Sequence, residues 1–238
     1  MDARQDDPAN PFGMDEDCTN CADLCKSRTQ VVHGYGDVGA DFVAIGGEPS
    51  AGADRTGVPF TGEDDLVLRI FEAVGLVEDL GSCAPDADPS HRTDASLDAA
   101  AFVAPELDDL YFTYVTRCRH PERPATDDEV RSCEGYRSSE LRMINPEIIV
   151  PVGQRAIEAL AFQYTTKSAD ELDVADLHAT TLRGRGFELV PMKAPADQTE
   201  ADTEAFVSHF ADLLGTDYRQ TKGRQGSLES GRGPDSDG

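Results

Sequence analysis

The sequence predicts an α/β protein, a three-layer α/β/α sandwich around a central four-stranded, mostly parallel sheet. Two observations carry this. The runs Phe42–Gly46, Leu110–Thr116, Glu147–Val152 and Phe187–Pro191 are almost continuously apolar, as strands buried on both faces of a parallel sheet are. Between them lie stretches with helical spacing, so strands and helices alternate along the chain. A chain of 238 residues suits one domain plus appendages and can bury a real core.

In order, residues 1–16 are rich in Asp, Pro and Asn and read as a disordered acidic N-terminus, with the domain proper over 17–215. Cys18–Arg28 forms a knuckle that can turn into a short helix. Phe42–Gly46 is the first strand. Gly46-Gly47-Glu48-Pro49-Ser50-Ala51-Gly52 follows at once, and no helix or strand continues through it. It is therefore a loop at the carboxyl end of a strand, where open α/β sheets place their ligands. Leu66, Ile70, Phe71, Val74 and Val77 recur at helical spacing and predict an amphipathic helix over Glu63–Leu80. Residues 81–107, with their Asp, Ala, Ser and Pro, break the pattern and read as a surface insertion.

Leu110–Thr116 is the second strand, and the loop Arg117–Pro124 follows it. Thr126 with Glu129 three residues on is a capping box, opening a helix to about Ile144. Glu147–Val152 is the third strand, and Gly153 opens a helix through Ala161. Residues 165–181 carry no pattern that assigns them. Phe187–Pro191 is the fourth strand, Thr199–Leu214 a closing helix, and 216–238 a disordered Gly/Ser/Arg/Asp tail. No internal repeat is visible.

The net charge is −25, with four lysines against seventeen arginines. This reads as a solvated acidic surface of the halophilic kind. The apolar strands exclude a disordered acidic chain. Acidity alone argues against a polyanionic partner, but at molar salt repulsion is screened to about 3 Å, so nucleic acid stays open. There is no signal-peptide pattern and no long apolar run, so the expectation is a cytoplasmic, monomeric protein without a membrane partner.

Six cysteines in a reducing compartment are not expected to form disulfides. Any one of them can be a small buried apolar residue. That reading suits Cys18-Thr-Asn-Cys21 poorly, because a Cys-x-x-Cys in a polar segment aims two thiolates at one metal centre. Cys118 and Cys133 flank an Arg/His/Pro-rich loop and supply a second pair. Four thiolates can hold zinc or an iron–sulfur cluster, and spacing does not decide between them. Cys25 and Cys83 read as spares.

The order of features resembles the iron–sulfur (family-four) uracil-DNA glycosylases over roughly Cys18 to Leu214. The matching pieces are Cys18-x-x-Cys21 with Arg28 behind it, Val32-x-Gly34-x-Gly36, Gly46-x-x-Pro49 and Gly57-Val58-Pro59-Phe60-Thr61-Gly62. Tyr111-x-Thr113-x-x-x-Arg117-Cys118-Arg119, Cys133, Asn145-Pro146-x-Ile148-Ile149-Val150-x-x-Gly153 and Val190-Pro191-Met192 complete the set. Each alone is weak; eight in register are specific. The resemblance implies that Cys18, Cys21, Cys118 and Cys133 hold a [4Fe-4S] cluster. It also implies that the fold binds DNA and flips a base into a pocket.

The chemistry departs from the pattern. The family's Gly-Glu-x-Pro-Gly is Gly46-Gly47-Glu48-Pro49-Ser50 here, so the acid sits directly before the proline. Another branch, with Gly-Gln-Asp-Pro-Tyr, has its water-activating aspartate in that slot, which makes Glu48 the candidate base. The Asn that reads the uracil edge is Tyr114, able either to donate a hydrogen bond or to block the pocket. The late His-Pro is Ala194-Pro195, leaving Lys193 as the nearest cation. Preorganised donors of this kind are worth about 3–4 kcal/mol each, so the losses bear directly on catalysis.

Phe60 reads as a platform for the flipped base, with a core residue as the bland alternative. Gly46, Gly47, Pro49 and Ser50 shape the loop. Arg117, Arg119 and His120 are candidate DNA contacts, as are Arg183 and Arg185. His33 reads as a surface residue, as do His91, His178 and His209. Three functions follow: a glycosylase acting on uracil or another damaged base, a non-catalytic cluster-bearing nucleic-acid-binding member, and a zinc-stabilised α/β protein without a nucleic-acid role.

Overall fold

The computed structural model describes residues 8–62, 65–83 and 102–218. Its strands in chain order are β1 (Tyr35–Gly36), β2 (Phe42–Gly46), β3 (Val77–Asp79), β4 (Glu106–Leu107), β5 (Leu110–Tyr114), β6 (Ile148–Val152), β7 (Leu182–Arg183) and β8 (Glu188–Leu189). The main sheet runs β1-β5-β2-β6-β8-β7. The four strands expected from sequence form its parallel centre. Two-residue β1 and β7 add antiparallel edges, so the sheet has six strands rather than four.

The helices are α1 (Ala22–Ser27), α2 (Ala51–Thr56), α3 (Asp65–Ala73), α4 (Asp127–Ile144), α5 (Gln154–Tyr164), α6 (Val174–Leu177) and α7 (Glu200–Leu214). Alternate residues of each strand feed two cores, as the two-residue period of a strand requires. Phe42, Ala44, Phe112, Ile148 and Val150 pack with Val67, Leu68, Phe71, Phe206 and Phe210 of α3 and α7. Val43, Ile45, Tyr111 and Ile149 pack with Leu141, Ile144, Ala156 and Leu160 of α4 and α5. Helices thus cover both faces. The three layers are as expected.

The helix expected over 63–80 is shorter. It ends at Ala73 because Gly75 adopts φ +81°, a backbone that costs a residue without a Cβ little. Gly75 N–H then bonds the Glu72 carbonyl and Leu76 N–H the Phe71 carbonyl, closing the helix end. Val77 enters β3 instead, paired antiparallel with β4. Of the region read as a surface insertion, Gly81–Cys83 forms one 3₁₀ turn and Cys83 is buried in the core. The end of that region supplies β4, and residues 84–101 lie outside the described residues.

The frayed terminus expected over 1–16 is described only from residue 8. From there the chain lies along β1: Gly36 N–H bonds the Pro8 carbonyl, and Phe12 packs on Tyr111. The expected disordered tail falls outside the described residues from 219 onward. The unassigned stretch holds α6 and buries Leu172 and Val174 against Ile157 and Ala161 of α5. Among the described residues no helix is long and apolar enough to cross a membrane.

The register makes one edge of the sheet a platform. Gly46 pairs with Tyr114 on one side and Val152 on the other, and Val152 bridges Met192. Four chain segments therefore leave the sheet level with one another. That edge carries the site.

Candidate active site

The loop after β2 is pinned at its start. The carbonyls of Gly46 and Gly47 accept from Val115 and Thr116 N–H at 2.8 and 3.0 Å, prolonging the ladder past the end of β5. A Cβ at Gly46 would lie 2.6 Å from the Tyr114 ring and 3.0 Å from that of Phe60, so only glycine fits. Pro49 is buried, and Ser50 caps α2: its Oγ accepts from Ala53 N–H at 3.0 Å and donates to the Thr61 carbonyl at 2.8 Å. Ser50 shapes the loop.

Between these fixed points stands Glu48, half-buried, its Oε2 accepting Ala125 N–H at 2.7 Å. Burial pushes its carboxyl above the usual range, while the Ala125 N–H and the charges of Arg119 and Arg155 pull the other way. Arg155 binds the Ala125 carbonyl at 3.1 Å and Asp127 at 2.7 Å, bracing the same loop. Sequence reading missed Arg155 and Ala125. Neither lies in a motif; only folding brings them to Glu48.

Phe60 is 2% exposed at φ +60°, edge-on to Phe112 and 5.1 Å from the Tyr114 ring. Tyr114 is 1% exposed, and its hydroxyl accepts Phe60 N–H at 2.8 Å. The Tyr114 ring thus fills the space between Gly46 and Phe60. Lys193 leaves the same edge but turns to Asp202, Nζ to Oδ1 at 2.6 Å, which with the cap to Thr199 holds that carboxyl well below its usual range. Lys193 N–H donates to His178 Nδ1 at 3.0 Å, so His178 Nε2 carries the proton and donates to the Asp202 carbonyl at 2.8 Å. His178, read from sequence as surface, is half-buried beside Phe206. No motif marks it.

Of the five DNA-contact candidates, Arg117 is corrected. It is 1% exposed, and its guanidinium binds Glu140 and Thr113 Oγ1, each at 2.5 Å. The charge read as facing phosphate faces α4. Arg119 and His120 are half-buried on the platform side, and His120 Nδ1 accepts Glu122 N–H at 3.2 Å. Arg183 and Arg185 are exposed but lie at the opposite edge. Arg183 pairs with Glu188, and Glu188 pairs with Ile148, the first residue of β6. They do not share a face with Glu48. His33, expected at the surface, is buried against Tyr136, with Nε2 2.9 Å from the Asp15 carbonyl.

The four candidate ligand cysteines gather on the flank. Cys18 and Cys118 are buried in one cluster with Leu24 and Val31, and Cys21 and Tyr136 pack against it. Cys133, also buried, couples electrostatically to Cys18, Cys21 and Cys118. Burial pushes the Cys118 thiol up to about 11, against the Arg28 hydrogen bond that lowers it. Among the described residues no three His, Cys, Asp or Glu side chains converge closely enough to hold a single metal ion. A [4Fe-4S] cluster takes four thiolate ligands, and Cys18, Cys21, Cys118 and Cys133 are the residues that would hold one here.

These features define a three-layer α/β protein with a half-buried carboxylate at the carboxyl edge of a parallel sheet and four gathered thiols beside it. The family model described as the uracil DNA glycosylase superfamily matches residues 33–215. The chain belongs to that superfamily. It is 29% identical over 177 residues to the type-4 uracil-DNA glycosylase of Archaeoglobus fulgidus, covering 72% of this chain and 68% of that one. To the type-5 uracil-DNA glycosylase of Pyrobaculum aerophilum it is 30% identical over 181 residues, covering 76% and 72%. The type-4 enzyme of Thermotoga maritima matches at 28% over 142 residues, 59% of this chain and 58% of that one. Relatives of both types therefore stand beside it.

Proposed function

We propose that this protein is a DNA-repair glycosylase that hydrolyses the N-glycosidic bond of uracil or another damaged base flipped out of DNA. The observation that carries this is Glu48, a half-buried carboxylate held by Ala125 N–H on the platform edge. Ionised, Glu48 takes a proton from water as the water oxygen bonds the sugar carbon C1′. The C1′–N bond breaks, and its electron pair leaves with the base as an anion. Arg119 and His120 face the phosphates on the same side. The protein acts as a cytoplasmic monomer.

Cys18, Cys21, Cys118 and Cys133 hold a [4Fe-4S] cluster. Bound there, it supplies a covalent tie between the knuckle, the loop after β5 and α4, and hydrolysis does not run through it. The test is abasic-site formation on a uracil-containing oligonucleotide, with a panel of other damaged bases, at high potassium chloride. No product on any base with enzyme in excess overturns the catalytic reading.

A second reading, a non-catalytic nucleic-acid-binding member, is favoured by the Tyr114 ring over Phe60 and by the Lys193–Asp202 pair. DNA binding without product on any base supports it.

A further inference from the structure

We propose that Arg28 is a positioning residue of the thiol centre, tying its two halves together and setting the reduction potential of the cluster they hold. The inference rests on the cluster assignment above. It starts from a forked contact. Nη1–H of Arg28 donates to Cys118 Sγ at 3.1 Å, and Nη2–H donates to the Cys18 carbonyl at 2.6 Å. One planar guanidinium therefore spans the N-terminal knuckle and the loop after β5, which supply different ligands. A lysine, with a single point charge, cannot make that fork.

The surroundings carry the electrostatic half. Arg117 and Arg137 are buried beside Cys133, 1% and 2% exposed, and Arg117 is matched by Glu140. Arg28 and Arg137 have no carboxylate within ion-pair distance among the described residues. Arg137 also buries two N–H groups, at Nε and Nη1, without a hydrogen-bond partner. In a chain of net charge −25 acidic partners are plentiful, yet among the described residues neither cation makes an ion pair. Arg28 is half-buried and Arg137 fully buried, and an unmatched cation taken out of water is costly unless an anion lies beside it.

The oxidised cluster is such an anion: a doubly positive core on four thiolates is a dianion. Adding one electron makes it a trianion, which nearby cations favour more strongly. Cations and hydrogen bonds to sulfur therefore raise the potential.

The experiment uses the full chain purified without oxygen. Iron and acid-labile sulfide are assayed, and the cluster is titrated with dithionite under electron paramagnetic resonance and absorbance at about 400 nm. Arg28→Gln is expected to lower the reduced-to-oxidised ratio at fixed potential about tenfold, a negative shift of about 59 mV for one electron. Arg28→Lys is expected to keep most of the potential but to lose iron several-fold faster to a chelator, because the fork is gone. Wild-type potential and loss rate in Arg28→Gln overturn the proposal and leave the cluster intact. Wild-type protein that holds zinc without iron or sulfide overturns the cluster assignment as well. If Arg28→Gln does not fold by circular dichroism, Arg28→Lys decides, and a wild-type loss rate there overturns the proposal.

Discussion

The Tyr114 hydroxyl accepts the main-chain N–H of Phe60 at 2.8 Å, and the two rings stand 5.1 Å apart. This contact ties the end of β5 to the chain following α2 and covers Phe60, the ring that reads from sequence as a stacking platform and is 2% exposed within the core. A base that stacks on Phe60 must first displace Tyr114. That move breaks a hydrogen bond worth about 1 kcal/mol and exposes a buried ring. The Tyr114 ring fills the space that a base stacked on Phe60 would need.

Replacing Tyr114 by Asn therefore opens the platform. Uracil excision by Tyr114→Asn is expected to exceed wild type at least tenfold, measured as abasic sites formed in single turnover. Adding Phe60→Ala is expected to erase the gain. Truncating a buried ring costs about 3–5 kcal/mol of stability, so both variants are compared well below their denaturation midpoints. Equal excision by wild type and Tyr114→Asn would show that the ring is no obstacle.

Arg117 and Glu140 make the deepest ion pair described, with Tyr111 and Thr113 hydroxyls donating to the same carboxylate at 3.0 and 2.7 Å. Glu140→Ala leaves the guanidinium buried without its countercharge. The expected loss is about 3–5 kcal/mol by urea denaturation, most of it the cost of the stranded cation. A loss under 1 kcal/mol would mean that water reaches Arg117 once Glu140 is gone.

The parallel strands were legible because burial on both faces leaves a continuous apolar run, as in Phe42–Ile45 and Ile148–Val150. The Thr126–Glu129 capping box was legible because its two side chains lie in one turn and bond each other's backbone, as they do in the structure. Arg117 was misread for the opposite reason. Its partner Glu140 is 23 positions away, and a buried arginine looks like a surface one until the helix carrying its acid is docked. Arg183 and Arg185 failed on topology: the turn before a parallel strand lies at the edge away from the site. Val77 kept helical spacing past Gly75, whose left-handed backbone overrode the pattern.

The acidic surface predicts salt dependence. With a net charge of −25, self-repulsion opposes the folded state until counterions screen it. The screening length falls from about 10 Å at 0.1 M to about 3 Å at 1 M salt. Thermal midpoints are expected to rise steadily between 0.1 and 2 M potassium chloride. A flat profile would show that the charges are spaced widely enough not to interact.

Glu48 offers a test in which activity and stability move in opposite directions. Burial raises its carboxyl in the folded protein, so the folded state holds that proton more tightly than the unfolded chain does. Its contribution is most favourable below the unfolded value and is lost as pH climbs through the folded one. At neutral pH the ionised carboxylate is therefore a net cost, which the Ala125 N–H only partly offsets. Glu48→Gln keeps an acceptor for that N–H and removes the charge. The variant is expected to be more stable than wild type at pH 7, with the gap closing as pH falls below the ordinary glutamate range. On the proposed mechanism the same change removes the base, and positioned proton transfer is worth about 10²–10⁴-fold, so single-turnover excision is expected to fall by that factor. In the wild type the acid limb of the rate profile is expected above the pH at which an exposed glutamate titrates, because on that mechanism only ionised Glu48 accepts the proton. A variant that is stabilised yet cleaves at the wild-type rate would leave the burial argument standing and take Glu48 out of the reaction.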